Sequence, residues 1–297
     1  MWPSGANPLG RVRVNSFGAT LRMVKFEHSI FALPFALSGA WLAADGIPPW
    51  MDLALVVCAA VFARSAAMAF NRWADRKVDA SNPRTQSREL VTGVLSPRYA
   101  LSFSVVASVL FVASSFQLSP LCGLLSFPVL GVLLGYSYLK RFTWACHFGL
   151  GLALGCAPAG AWLAVAKEFH EGWHVPVVVG VGVLFWTAGF DLLYSIQDKE
   201  HDGRASLFSI PTRFGIGLTR ILAVIFHGLA LLSWACLDPL FSWPYFLGLS
   251  LIALLFFLQH FLIRGGRFSR VPIAFFQVNA WVGVVYFVGI LFVLPLR

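Results

Sequence analysis

Nine apolar segments, each about as long as a bilayer-spanning helix, run through almost the whole of this 297-residue chain. A membrane-spanning α-helix needs about 20 consecutive apolar residues, because the hydrocarbon core of a bilayer is about 30 Å thick. With 12% charged residues and mostly short connections, the chain leaves no room for a separate soluble domain. We therefore predict an all-α polytopic membrane protein, a single domain over 1–297, with spans near 27–44, 51–70, 99–118, 119–139, 142–166, 175–196, 217–236, 241–263 and 271–295.

Positive charges are distributed very unevenly between the two ends of these predicted helices. Of the 22 Lys and Arg residues, 19 fall in the N-terminal segment and the even-numbered loops, with Arg220 counted there because it lies in the first turn of the next span. The opposite ends hold Lys167 and Arg297 only, and Arg64 lies inside the second span. Cytoplasmic loops are enriched in Lys and Arg, so we expect the N-terminal segment (1–25) and the even-numbered loops to face the cytoplasm. The net charge of +9 is then mainly a topology signal. A nucleic-acid-binding protein would need basic and aromatic residues on a soluble face, which this sequence does not offer.

Two polar stretches interrupt the apolar pattern, each at the end of an even-numbered helix. In the first acidic stretch, Asn71, Asp75 and Asp79 recur every four residues, which places them along one face of a helix. The second acidic stretch repeats this spacing 123 residues later, at Tyr194, Asp198 and Asp202. Stacked carboxylates repel one another and are costly near a membrane, and a divalent cation would offset that cost. Because Mg²⁺ takes carboxylate oxygens together with substrate phosphates, the pattern predicts a magnesium site.

Two alternatives to a magnesium site stay open at this point. The carboxylates would be solvated loop residues that balance nearby cations, although this does not account for the repeated four-residue spacing. A cation transporter or channel would also use acidic clusters, but its charges would line a path across the membrane. The five cysteines have no paired spacing, so we expect neither a disulfide framework nor a zinc site.

Basic residues surround both stretches, and one of them lies inside a predicted helix. Carboxylates that hold Mg²⁺ beside Lys and Arg suit a diphosphate group. The nearby cations are Arg72, Arg76, Lys77, Arg84, Arg88, Lys140, Arg141, Lys199 and Arg204. Arg64 lies seven residues before Asn71, about two turns deeper in the second helix. A guanidinium at that depth is costly, so Arg64 is either a functional residue or half of a structural ion pair.

These residues resemble the motifs of the UbiA superfamily of intramembrane aromatic prenyltransferases. The first acidic stretch is similar to the superfamily's Asn-x-x-x-Asp-x-x-x-Asp pattern. The second is similar to its Asp-x-x-Tyr-x-x-Gln-Asp-x-x-x-Asp pattern, which adds Asp191 and Gln197. The segments HSIFALPFA (28–36) and YLKRFT (138–143) resemble the superfamily's first helix and its loop between helices 4 and 5. Separately, the small-residue stretch GLGLALGCAPAGAW (149–162) predicts close helix packing.

The resemblance implies a UbiA-type prenyltransferase fold of nine transmembrane helices around a central cavity, with Mg²⁺ as the cofactor. The residues implied to ligate Mg²⁺ are Asn71, Asp75, Asp79, Asp198 and Asp202. Those implied to bind the diphosphate of the substrate are Arg88, Lys140, Arg141 and Lys77. Those implied to act on the acceptor or the allylic cation are Asp191, Tyr194 and Arg64. Many members carry Asp where this chain has Arg72, but that position points off the acidic stripe, so we expect little effect on metal binding.

The substrates implied by the resemblance are a polyprenyl diphosphate and an aromatic hydroxy acid, used in the synthesis of a respiratory quinone. The stretch KFEHSIFALPFA (25–36) looks most like the branch that prenylates 4-hydroxybenzoate, so we expect that acceptor. A 1,4-dihydroxynaphthoate-type acceptor, used for menaquinone, stays open because both acceptors carry a phenol and a carboxylate. The resemblance also places the protein in the inner membrane of a bacterium.

Overall fold

Eight helices long and apolar enough to cross a membrane make up most of the protein, in a computed structural model that describes residues 16–237, 242–264, 271 and 274–293. The last of these spans begins with a π-helical turn at Ala274–Val278. In chain order the α-helices are α1 (Ser16–Met23), α2 (Leu33–Ala44), α3 (Trp50–Ser81), α4 (Pro97–Leu118), α5 (Pro120–Leu139), α6 (Cys146–Ala166), α7 (His174–Ser195), α8 (Lys199–Arg204), α9 (Ile210–Ala235), α10 (Trp243–Leu262) and α11 (Asn279–Val293).

The first predicted span, 27–44, differs from the remaining eight in length. It begins as a 3₁₀ turn over Phe26–Phe31, and the α-helical part starts only at Leu33. Pro34 lies in the first turn of α2, the one place in a helix where its missing N–H costs nothing. The apolar helical stretch Ser29–Ala44 is therefore shorter than a full span. The nine predicted apolar segments are all helical within the described ranges, and eight of them are full length.

The outer surface of the long helices is apolar. Examples at mid-helix are Val109 on α4, and Leu254 and Phe257 on α10, which are 61%, 62% and 67% exposed. Water-soluble monomers rarely expose apolar patches this extensive. A surface of this kind fits contact with lipid tails over the hydrocarbon core of a bilayer.

Glycine lets α6 pack closely against α7 on one side and α2 on the other. A Cβ atom added at Gly155 would lie 2.7 Å from the carbonyl oxygen of Gly180, and one at Gly151 would lie 2.5 Å from that of Leu184. A Cβ atom at Gly39 of α2 would collide with the backbone of α6. Small residues permit such close approach of helix backbones. The packing role predicted for the small-residue stretch of α6 is confirmed.

Aromatic side chains fill the space between α2, α7, α9 and α11. The ring centroid of Phe35 lies 5.2 Å from that of Trp186, 5.6 Å from that of Trp234 and 5.1 Å from that of Tyr286. The indole N–H of Trp234 donates to the carbonyl oxygen of Val179 at 3.1 Å, so this buried ring leaves no unpaired donor. These aromatic rings pack densely against one another, so the cavity of the protein lies in another part of the bundle.

That cavity lies among α2, α3, α4, α5 and α6, and its volume is ≈370 Å³. Alanine supplies much of its lining, so its walls are smooth and apolar. On α3 the lining runs from Val56 to Met68, which corresponds to about 18 Å of helix. Among the described residues that line it, Arg64 is the only charged one. The cavity therefore suits a long apolar chain.

Candidate active site

The first acidic stretch occupies the last turns of α3, which continues without interruption from the apolar span to Ser81. Asn71, Asp75 and Asp79 thus lie on one continuous α-helix, as their spacing predicts. Asn71 donates from Nδ2 to Asp75 Oδ2 at 3.0 Å and to Ser137 Oγ on α5 at 3.4 Å. These bonds leave the amide oxygen of Asn71 available as a neutral ligand.

The second acidic stretch lies where α7 gives way to α8. After α7 ends at Ser195, a 3₁₀ turn spans Ile196–Asp198 and α8 follows directly. Because a 3₁₀ turn is wound more tightly than an α-helix, the four-residue spacing here does not produce one straight stripe. The side chains of Asp198 and Asp202 are buried, and a buried carboxylate requires partners.

The connection between α3 and α4, residues 82–96, supplies partners to both acidic stretches. Arg84 donates from Nε and Nη2 to the two oxygens of Asp198, at 2.9 and 2.6 Å. Arg88 donates from Nη1 to both oxygens of Asp79, at 2.7 and 2.6 Å. Asn82 adds a bond from Nδ2 to Asp198 Oδ1 at 2.9 Å. Charge-assisted bonds of this kind are strong and directional, so this connection ties the two stretches together.

The connection between α5 and α6 makes the same cross-link with two adjacent residues. Lys140 Nζ lies 2.6 Å from Asp202 Oδ2, and Arg141 Nη2 lies 3.1 Å from Asp75 Oδ1. Burial alone would lower the pKa of Lys140, but the Asp202 carboxylate outweighs it, and the pKa lies above its ordinary value. Each connection therefore gives one cation to each stretch. We call the four carboxylates so paired, Asp75, Asp79, Asp198 and Asp202, the acidic cluster.

The acidic cluster fits a metal ion that is shared with a substrate. Within the described ranges, no three Asp, Glu, His or Cys side chains lie close enough together to hold one ion on their own. Mg²⁺ commonly takes one or two carboxylates and completes its octahedron with water and substrate phosphates. The two acidic stretches offer two carboxylates each, and Asn71 offers a neutral oxygen. The donor set therefore suits Mg²⁺ bound together with a diphosphate.

On the last turns of α7, Asp191 has a different partner from the acidic cluster, whereas Tyr194 shares Arg84 with Asp198. Asp191 Oδ2 lies 2.7 Å from Nδ1 of His147, a buried residue in the first turn of α6. The hydroxyl oxygen of Tyr194 accepts a bond from Arg84 Nη1 at 2.6 Å, and the Arg84 guanidinium lies 4.9 Å above the Tyr194 ring. The ring centroid of Phe275 lies 4.4 Å from that of Tyr194. Tyr194 is therefore held in place by a cation and by an aromatic ring.

Arg64 lies at the end of the cavity nearest to the acidic cluster. Its Nη2 donates to the backbone oxygen of Lys25 at 3.2 Å, whereas its Nε is buried and has no hydrogen-bond partner among the described residues. Tyr136 also lines the cavity. Arg72 is itself only 6% exposed. The region between cavity and cluster is thus rich in buried cations.

Lys77 is the one predicted diphosphate ligand that the structure does not bring to the acidic cluster. Its side chain is exposed on α3 and makes no ion pair with any residue in the described part of the chain. Conversely, the sequence motifs assign no individual role to Arg84, Asn82, Tyr136 or His147. The basic run after the first acidic stretch is a signal for Arg84. Nothing in the local sequence distinguishes the remaining three from ordinary helix or loop residues.

Comparison with known proteins gives a consistent result. The model of the UbiA prenyltransferase family matches residues 32–282. A 4-hydroxybenzoate octaprenyltransferase from Hydrogenovibrio crunogenus is 34% identical over 258 residues, which cover 86% of this chain and 89% of that protein. A UbiA homolog from Aeropyrum pernix K1 has a similar structure, with a TM-score of 0.81, 32% identity, and coverage of 90% of this chain and 98% of that one. A UbiA homolog from Archaeoglobus fulgidus, solved bound to DMAPP and Mg²⁺, shares the fold at a TM-score of 0.72 and 18% identity, with coverage of 94% and 100%.

Fold and site together define a class: an integral membrane protein whose helical bundle joins an apolar cavity to a cluster of paired carboxylates and cations. The family match and the relatives both extend over most of the sequence. The chain belongs to the UbiA prenyltransferase family. The predicted fold is confirmed, and the protein is a prenyltransferase. The assignment of all of 1–297 to one domain and the roles of the individual site residues stay predictions.

Proposed function

We propose that this protein transfers the polyprenyl group of a polyprenyl diphosphate to 4-hydroxybenzoate, a step in ubiquinone biosynthesis. Relatives that are 30% and 34% identical over most of the chain are named 4-hydroxybenzoate octaprenyltransferase. The proposal rests on the point along α3 at which the apolar cavity lining ends and the polar residues of the site begin. The cavity lining on this helix ends at Met68, and the acidic cluster with its Asn71 partner begins one turn later. A polyprenyl diphosphate has the same division, a long apolar tail attached to a charged head.

The charged head would lie between the two acidic stretches. Asn71, Asp75, Asp79, Asp198 and Asp202 would hold Mg²⁺ there, which when bound would supply Lewis-acid neutralisation of the leaving diphosphate. Arg88, Lys140 and Arg141 lie within 3.1 Å of these carboxylates, so their N–H groups would also reach oxygens of a diphosphate seated in the cluster. Arg84 would also lie beside the diphosphate, because it is bonded to Asp198. Lys77 is exposed and pairs with no carboxylate of the acidic cluster, so this proposal gives it no role in binding the diphosphate.

Transfer would begin when the allylic C–O bond breaks and its electron pair leaves with the diphosphate. The cations from both connections would stabilise the negative charge that develops there. The allylic cation then forms a bond to the ring carbon ortho to the acceptor's hydroxyl, and that carbon loses its proton. Asp191 is the one aspartate of the two stretches without a Lys or Arg partner in the described structure, so it would steady the cation or orient the acceptor. Tyr194, fixed by Arg84, would shape the same side of the site.

Arg64 would bind the carboxylate of the acceptor. Arg64 is the one charged residue among the described residues that line the cavity, and its buried Nε–H donates to none of the described residues. Arg64→Gln should therefore raise the KM for 4-hydroxybenzoate by about tenfold or more, while the KM for the prenyl diphosphate changes little. Arg76→Gln is the matched control, because the Arg76 guanidinium lies against the Trp73 ring on the same helix, 5.0 Å from its centroid. Equal effects of the two substitutions on the acceptor KM would remove Arg64 from the acceptor site.

The site would open to the cytoplasmic side of a bacterial inner membrane. This orientation rests on the positive charges, 19 of 22 of which fall in the N-terminal segment and on the side of the site's loops. Both substrates would then meet at the membrane's cytoplasmic face, the tail from the lipid and the acid from water.

Release of inorganic diphosphate tests the proposed function. Purified protein in detergent or nanodiscs should release it when Mg²⁺, an octaprenyl diphosphate and 4-hydroxybenzoate are all present, in a one-to-one ratio with consumption of the acid. Omitting either substrate should abolish the release. Release that proceeds equally well without any acceptor would identify a hydrolase instead and overturn the proposal.

A further inference from the structure

We infer that His147 is a positioning residue that holds the Asp191 carboxylate in the orientation needed for the transfer reaction. The inference rests on the proposed function and adds to it a residue from α6 that belongs to neither acidic stretch. Its basis is the contact between His147 Nδ1 and Asp191 Oδ2 at 2.7 Å, which joins the first turn of α6 to α7. The imidazole is 2% exposed, whereas the Asp191 side chain is 24% exposed, so the carboxylate and not the imidazole faces the open side of the pair.

The second ring nitrogen of His147 determines which nitrogen carries the proton. The backbone N–H of Ile210, the first residue of α9, points at Nε2 at 3.4 Å. A backbone amide only donates, so Nε2 must accept and the proton resides on Nδ1. The Nδ1–H group then donates to Asp191. One buried side chain thereby links α6, α7 and α9 and satisfies an amide that the start of α9 would otherwise leave unpaired.

This partner distinguishes Asp191 from the acidic cluster. Each of the four cluster carboxylates is paired with Lys or Arg, whose full positive charge reduces the ability of the carboxylate to attract another cation. His147, by contrast, fixes the orientation of Asp191 through its Nδ1 contact, and no Lys or Arg of the described residues pairs with this carboxylate. Asp191 is therefore the carboxylate best prepared to interact with an allylic cation or with a proton leaving the ring.

Two substitutions at His147 separate positioning from simple packing. His147→Asn keeps an N–H donor near the position of Nδ1, whereas His147→Leu removes it at similar bulk. We expect His147→Leu to lower kcat by about tenfold with little change in the KM for the prenyl diphosphate, and His147→Asn to recover most of that loss. His227→Leu, which removes a buried imidazole bonded to His260, is the control and should leave kcat unchanged.

A double-mutant cycle gives the decisive comparison. If His147 acts through Asp191, adding His147→Leu to Asp191→Ala should cause no further loss of activity. Additive losses, wild-type activity in His147→Leu, or full activity in Asp191→Ala would each overturn the inference. If the wild-type protein transfers no prenyl group, the proposed function fails, and ¹⁵N spectra of labelled histidine still test the contact. A His147 ring protonated at Nδ1 and altered by Asp191→Ala supports the pairing, whereas a ring protonated only at Nε2 contradicts it.

Discussion

Substituting methionine for Lys140 tests how the two acidic stretches are held together, with Lys77→Met as the matched control. Both lysines carry the same charge near the same end of the bundle, and the sequence predicts diphosphate binding for both. The structure separates them, because Lys140 is paired with buried Asp202 whereas Lys77 is exposed without an ion pair in the described residues. We expect Lys140→Met to lower both stability and activity, and Lys77→Met to change neither.

The size of the stability loss follows from the exposure of the two partners. Asp202 is 1% exposed, and leaving a fully buried carboxylate without its cation costs about 3–5 kcal/mol. Solvent reduces that figure here, because the Lys140 side chain is 33% exposed and His201 Nδ1 remains 3.7 Å from Asp202. We therefore expect a loss of about 2 kcal/mol, which for a chain of this size is a fall of about 4–8 °C in unfolding temperature.

Thermal unfolding in detergent and steady-state kinetics measure the two effects. Because Asp202 raises the pKa of Lys140 above its ordinary value of 10.5, the ion pair is complete below that pH and weakens only as the pH rises through the folded-state pKa. The stability difference between the wild type and Lys140→Met should thus be constant from about pH 7 to pH 9. Wild-type unfolding in Lys140→Met, or an equal loss in Lys77→Met, would refute the reasoning.

Three further predictions concern the metal, the helix packing and the topology. Activity should be lost in EDTA and restored best by Mg²⁺, and Asp75→Asn or Asp198→Asn should each lower turnover by about a hundredfold; full activity in EDTA contradicts the metal site. Gly155→Ala should lower the unfolding temperature, because the added Cβ would lie 2.7 Å from a backbone oxygen of α7. Gly160→Ala should not, because its added Cβ would have no atom of the neighbouring described residues within 4 Å. Equal unfolding temperatures for the two variants would disprove the close packing. A cysteine at exposed Ser206, in a background without native cysteines, should react with an impermeant thiol reagent only after cells are opened; labelling in intact cells reverses the topology.

The long helices were predictable because the bilayer imposes a local demand on the sequence. The predicted spans 99–118 and 119–139 agree within two residues with Pro97–Leu118 and Pro120–Leu139, where a proline in the first turn and a serine cap mark each start. The span predicted at 51–70 ends 11 residues before α3 does. Hydropathy detects where lipid contact ends, and the helix continues past that point.

The pairing within the site was not predictable, because it depends on the path of two connections through space. Arg84 and Lys77 both follow the first acidic stretch and are alike in charge and in hydropathy. Only the folded chain shows that Arg84 reaches Asp198, 114 residues away in sequence. The contact between His147 and Asp191 joins residues 44 apart on different helices, so neither local sequence contains a sign of it. The spacing of a motif identifies the carboxylates that it contains. The cations and the histidine that contact these carboxylates are brought to them by the tertiary structure.

The most direct test of the central claim is the mass of the product formed by the purified protein. Octaprenyl diphosphate and Mg²⁺ would be supplied together with 4-hydroxybenzoate, with 1,4-dihydroxy-2-naphthoate, or with both acceptors in competition. We predict a prenylated 4-hydroxybenzoate, formed with release of one diphosphate and absent when Asp198→Asn replaces the wild type. A prenylated naphthoate without any prenylated benzoate would contradict the assignment of the acceptor, and the absence of prenyl transfer to either acid would contradict the account of the site.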